Sequence, residues 1–189
     1  MNRLNGARNY LAGPIEHAGD GGIEWRKEIT PFFESLGIKV LNPCDKPVAL
    51  GKETVESQLI IKELKQLFAK CDKSERDYYG NKLHAMMKEI VGIDLRLVDI
   101  CDFLVAYIDP NIYSCGTFDE ITRACIGKKP VIVYAPMGLD TIPSWLFSTL
   151  KHQMFFDSIT ELKSYVRHIN EDEIIDDLDR WRFMDWNNF

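Results

Sequence analysis

Apolar residues in this chain fall into two kinds of segment: short continuous runs, and longer stretches at helical spacing. Arg8 to Gly13 ends in the run Tyr10-Leu11-Ala12 and meets the breaker pair Gly13-Pro14, which predicts a first strand. Glu16 to Gly22 holds three glycines and an aspartate and reads as a loop. From Trp25 to Leu36, apolar residues at Trp25, Ile29, Phe32, Phe33 and Leu36 keep helical spacing, and Gly37 stops the helix. Ile38 to Leu41 is a second strand closed by Asn42-Pro43. Thr54 to Phe68 and Lys82 to Val98 show helical periodicity, with a charged turn over Cys71 to Gly80 between them. Asp102 to Ile108 predicts a buried third strand. A loop over Asp109 to Gly116, a helix over Thr117 to Ile126 ended by Gly127, and a fourth strand over Pro130 to Tyr134 follow. Pro143 to Leu150 and Ser158 to Ile169 read as short helices around a fifth strand at Met154 to Phe156.

Strands alternating with helices predict an α/β fold, Rossmann-like or flavodoxin-like, in three layers with a parallel sheet of about five strands. In such sheets ligands sit beyond the carboxyl ends of the strands, at the switch point. That brings the loops at 13–22 and 109–120 side by side. Residues 1–170 are expected to form a single α/β domain. The segment 171–189 is expected to be a C-terminal helical extension, packing on the body or on a neighbouring subunit. It is strongly acidic from Glu171 to Asp179, yet Ile174, Ile175, Leu178 and Trp181 share one helical face.

Composition narrows the functional classes. The 189 residues are 46% hydrophobic and 28% charged, which is ordinary for a globular domain. No run of apolar residues reaches membrane-spanning length, and Met1 to Gly13 lacks a signal-peptide pattern, so a cytoplasmic setting with no membrane partner is expected. A net charge of −6 argues against a broad nucleic-acid contact but leaves room for a small anionic ligand. The five cysteines include no C-x-x-C, and His17, His84, His152 and His168 show no metal-ligand spacing. No metal or organic cofactor is expected.

Three segments carry candidate chemistry. In Ser114 to Glu120, a loop turns at Gly116 and a helix begins, with Glu120 in its first turn. The bland reading is a capping box between Thr117 and Glu120. Asp94, in Gly92-Ile93-Asp94-Leu95-Arg96, reads equally as a solvated helix position paired with Lys88 or Arg96. In Tyr10 to Ile15, Gly13 permits close backbone approach to a ligand and Tyr10 offers a hydroxyl. The ordinary alternative is a core tyrosine. Cys115 reads as a small packing residue.

Taken together, Tyr10-Leu11-Ala12-Gly13-Pro14-Ile15, the Asp94 region and Gly116-Thr117-Phe118-Asp119-Glu120 with Lys129-Pro130-Val131 resemble the nucleoside 2-deoxyribosyltransferase family, including its nucleoside 5′-monophosphate N-glycosidase relatives. Trp25-Arg26 and Leu41-Asn42-Pro43 fit the same spacing. Against compact members, the helical region of about 51–98 reads as an insertion after strand two. The resemblance implies that Glu120 attacks the anomeric carbon, Asp94 handles the proton on the departing base, and Tyr10 orients the nucleophile. It also implies a homo-oligomer, and a nucleoside or nucleotide with a free base as small-molecule partners. Gly13, Ile15, His17, Ser114 and Gly116 are the expected substrate-binding positions. Many transferases of the family carry an acidic residue where this chain has Ser114, and a hydroxyl there suits a 5′-phosphate. His17, Arg26 and the amides after Gly13 are candidate phosphate partners. Transfer to another base, or hydrolysis, in nucleotide salvage is the expected function. The alternatives are a non-catalytic nucleotide or NAD-metabolite sensor and a phosphoribohydrolase of the lysine-decarboxylase-like class. The latter carries extra glycines and a proline where this chain has Tyr113-Ser114-Cys115.

Overall fold

A computed structural model describes residues 2–47, 54–171 and 181. Of the C-terminal extension, only Glu171 and Trp181 lie among the described residues. Residues 43–96 gather into one compact unit and the rest of the chain into another.

The larger unit is built on a sheet of β1 (Arg8–Ala12), β2 (Lys39–Leu41), β3 (Phe103–Tyr107), β4 (Val131–Tyr134) and β5 (Phe155–Phe156). Its order is β2-β1-β3-β4-β5, and every pairing is parallel. This is the flavodoxin order, with the switch point between β1 and β3. The strands read as continuous apolar runs because helices cover both faces. Alternation sorts each strand's side chains between two cores. Leu11, Phe103, Val105 and Ile132 pack with α1 (Glu24–Ser35) and α5 (Ile159–Glu171). Tyr10, Ala12, Leu104, Ala106, Val131 and Val133 pack with α4 (Cys115–Ile126) on the opposite face. Trp181 joins the α5 side, where its indole N–H donates to the Tyr165 hydroxyl at 3.0 Å.

The other unit holds α2 (Val55–Lys70) and most of α3 (Arg76–Ile100), the last four residues of which belong to the sheet unit. Thr54 and Ser57 form a reciprocal capping box that starts α2. The predicted turn over Cys71 to Gly80 is shorter than expected. Helix α3 already starts at Arg76, because the charged and aromatic residues 76–80 are as good on a solvated helix as in a turn. After Ile100, the Lys129 ammonium donates to the carbonyls of Val98, Asp99 and Cys101, each at 2.6 Å. Carbonyls orphaned at a helix end are thus satisfied by a cation.

Helix α4 departs from the sequence reading at both ends. It begins at Cys115, two residues before Thr117, with Ser114 as its N-cap. At its end, Lys128 takes the left-handed conformation at φ 55°, whereas Gly127 stays at φ −70°.

Candidate active site

The site begins with a carboxylate on the buried stripe of a helix. Thr117, Ile121 and Ala124 are the buried residues of α4, at helical spacings of four and three. Glu120 falls on the same face, three residues after Thr117. A charge there requires a polar partner. The partner is Tyr10, whose hydroxyl donates to Glu120 Oε1 at 2.6 Å. Tyr10 is fully buried on β1, between Leu41 of β2 and Leu104 of β3. Two residues 110 positions apart in sequence therefore meet because β1 and α4 pack on the same sheet face.

This geometry removes the capping box. Thr117 is buried in the third helical position, and Ser114 makes no side-chain cap bond. Glu120 lies in the second turn, not the first, so the helix dipole acts on it weakly. Gly116 is likewise within the first turn rather than in the preceding loop, and the space above its Cα is open. Cys115 is exposed, so it is not a packing residue.

Asp94 lies in the other unit, where its Oδ1 meets the Lys46 ammonium at 2.6 Å in a buried ion pair. Sequence proximity suggested Lys88 or Arg96 and gave no sign of Lys46. Lys46 carries no local motif and stands 48 residues away from Asp94. The neighbouring acids are also paired: Asp99 with Arg123 at 2.7 Å, and Asp102 with Arg8 at 3.0 Å.

The loop after β1 is organised by Arg26. This side chain is fully buried, and its guanidinium donates to the carbonyls of Leu11 (3.2 Å), Gly13 (2.9 Å) and Gly22 (2.5 Å). The two ends of the loop are thereby tied to one cation. Three of the five Arg26 N–H donors are thus committed to backbone oxygens. Gly13 is buried, and a Cβ there would meet Trp25 Cζ2 at 2.9 Å, so close packing under Trp25 requires the glycine. Gly22, at φ 72°, lies against the Pro14 carbonyl and the Arg26 guanidinium. Ile15 is half-buried and its carbonyl accepts from the Ala18 amide at 3.3 Å. His17 is exposed in the left-handed region, with Nε2 at 3.4 Å from Glu16.

Asp20 stabilises the same loop. Its carboxylate accepts from the amides of Gly22 (2.9 Å) and Glu24 (2.7 Å), at the start of α1. Burial pushes its pKa up, but the bonds from the amides of Glu24, Gly22, Asp20 and Ile23 outweigh this and hold it below the ordinary value.

Among the described residues, no group of three or more His, Cys, Asp or Glu side chains is placed to hold a metal ion. None of their helices is long and apolar enough to cross a membrane.

The molecule therefore belongs structurally to the doubly wound α/β class with a carboxylate and a phenol paired beside the switch strand. Among solved structures, it is similar in fold to a 2-deoxyribosyltransferase from Bacillus psychrosaccharolyticus, at a TM-score of 0.51 and 18% identity, over 84% of this chain and 92% of that one. A CMP N-glycosidase from Clostridium botulinum, BcmB, aligns at a TM-score of 0.46 and 14% identity, over 85% of this chain and 97% of that one. No family profile and no curated protein matches the sequence.

Proposed function

We propose that this chain cleaves the N-glycosidic bond of a nucleoside or nucleoside 5′-monophosphate and passes the sugar to another base or to water. The observation that carries the proposal is the 2.6 Å bond from Tyr10 to Glu120. A carboxylate oriented by a short donor is suited to attack on a sugar carbon that gains positive charge as its base departs. In the first step the C1′–N bond breaks, the C1′–Oε bond to Glu120 forms, and the base takes up a proton delivered by the Asp94 carboxyl. In the second step an incoming base or water attacks C1′, loses a proton and frees Glu120. Asp94 is assigned the proton on the base, an assignment that rests on the sequence resemblance.

Ser114, Gly116, Gly13, Ile15 and His17 are proposed to line the substrate. The open first turn of α4, with its uncapped serine and unobstructed glycine, favours a 5′-monophosphate over an uncharged 5′ end. The fold shared with the Bacillus 2-deoxyribosyltransferase is consistent with this chemistry. We further propose a homo-oligomer acting in nucleotide salvage in the cytoplasm, with residues 1–170 as the catalytic body.

The test is product analysis with dCMP, dGMP, dTMP, dAMP and their nucleosides, with and without a second base. Intact-mass measurement after acid quench accompanies it. Released base and a glycosyl adduct that disappears in Glu120→Gln are expected. Undiminished turnover in Glu120→Gln overturns the mechanism, and tight binding without turnover across the panel replaces it with a sensor.

A further inference from the structure

Lys46 is a buried cation that the reaction above leaves unused. It is 6% exposed, and lysine is almost never shut away from water unless it is paired. Among the described residues its ammonium, with three N–H donors, meets one acceptor, Asp94 Oδ1 at 2.6 Å. Both side chains belong to the compact unit formed by residues 43–96. Lys46 directly follows the short helical turn Pro43–Asp45, and Asp94 stands on α3.

Stability does not account for this pair. Taking two charges out of water costs about as much as their attraction returns, unless further hydrogen bonds satisfy the remaining donors. The neighbouring acids are held differently. Asp99 and Asp102 each meet two nitrogens of a guanidinium, from Arg123 and Arg8. All four of those side chains are between a quarter and a half exposed. Among the described residues, the buried pair is the one built on lysine.

The two kinds of cation differ in what they can release. A guanidinium keeps its proton in a protein, whereas an ammonium can give one up. A lysine against a carboxylate therefore stores a transferable proton, and an arginine in its place would store charge alone.

Resting on the reading in which Asp94 handles the proton of the base, we propose that Lys46 supplies that proton and takes it back in the second step. As the C1′–N bond breaks, an Nζ–H bond of Lys46 breaks, its proton passes through the Asp94 carboxyl, and an N–H bond forms on the departing base. Asp94 is left as a carboxylate beside a neutral amine. In the second step the incoming base or water gives its proton to Asp94, which returns it to the amine. The negative charge that Glu120 loses on forming the ester is matched by the positive charge that Lys46 loses. The base thus departs neutral. Lys46 acts through Asp94 rather than on the substrate.

The test compares the full wild-type chain with Lys46→Arg and Lys46→Met on two leaving groups. One is the best nucleotide of the panel above. The other is p-nitrophenyl deoxyriboside, with and without a 5′-phosphate, whose phenolate leaves without a proton. With the nucleotide, kcat should fall about 100-fold or more in both variants, the scale of general acid catalysis. With the aryl substrate the loss should shrink to less than about tenfold, because that departure needs no acid. Circular dichroism checks folding; should Lys46→Met not fold, Lys46→Arg, which keeps the charge, decides. A purely structural role predicts equal losses on both leaving groups, and a purely electrostatic role predicts recovery in Lys46→Arg; either result overturns the proposal. A wild type that releases no base from any member of the panel removes the proposed reaction, and this inference with it. Wild-type release that Lys46→Arg matches removes the inference alone.

Discussion

Replacing Tyr10 by Phe deletes one oxygen and little else. The ring remains in the cluster with Val98, Leu104 and Ala106, and the donor to Glu120 Oε1 is lost. At 2.6 Å this bond is in the range of charge-assisted O–H···O⁻ contacts. Such bonds contribute about 1.5–3 kcal/mol. If that energy holds the carboxylate in its attacking position, kcat should fall by about tenfold to about 150-fold, at roughly 1.36 kcal/mol per decade. KM should change little, since the hydroxyl touches the nucleophile and not the substrate. Stability should fall by only about 1 kcal/mol, because Glu120 is half-buried and water can replace the lost donor. The assay is steady-state base release on the best substrate from the panel, with urea unfolding in parallel. Wild-type kcat in a folded Tyr10→Phe protein would refute the claim that this bond positions the nucleophile.

Three further outcomes follow from the same structure. Arg26→Met should cost about 3 kcal/mol or more in urea unfolding, because three buried carbonyls lose charge-assisted donors; Arg26→Lys should recover only part of this, since an ammonium cannot reproduce the fork. Asp20 has a folded pKa below its ordinary value of 3.8. Its contribution to stability is therefore present above that pH and lost as pH falls through the folded value, so Asp20→Asn should flatten the acid limb of the urea midpoint against pH. Burial first raises the Cys101 thiol to about 11, whereas Cys115 is exposed; Cys115→Ser should remove a fast phase of thiol labelling at pH 8, and Cys101 should react only on unfolding.

The architecture was readable from pattern because both cores leave direct traces in sequence. Leu104-Val105-Ala106 is apolar throughout since helices cover both faces of β3, and α1 repeats its apolar residues at the spacing of one buried stripe. The start of α4 was not readable in the same way. Thr117-x-x-Glu120 satisfies the local rule for a helix start, but Thr117 gains more by burial against the sheet, and the helix extends back to Cys115. Tyr10, Asp94 and Glu120 could be named through resemblance, whereas their partners are tertiary facts. Nothing near Arg26 announces that carbonyls from positions 11, 13 and 22 converge on it. Nothing local links Lys46 to Asp94. One trace was available: Glu120 is a charged residue on the stripe of Thr117, Ile121 and Ala124, and a lone acid on an apolar helix face calls for a buried donor.

Tyr10 stands on the strand that separates β2 from β3, with its phenol anchored inside the interior. Displacing that oxygen by an ångström would require rebuilding the centre of the molecule. Exposed positions in the turns that follow β1 and β3, such as Glu16 and Tyr113, face no such restriction and can exchange residues at small cost. Variation over evolutionary time could therefore retune which compound is accepted while the bond-breaking apparatus stays fixed.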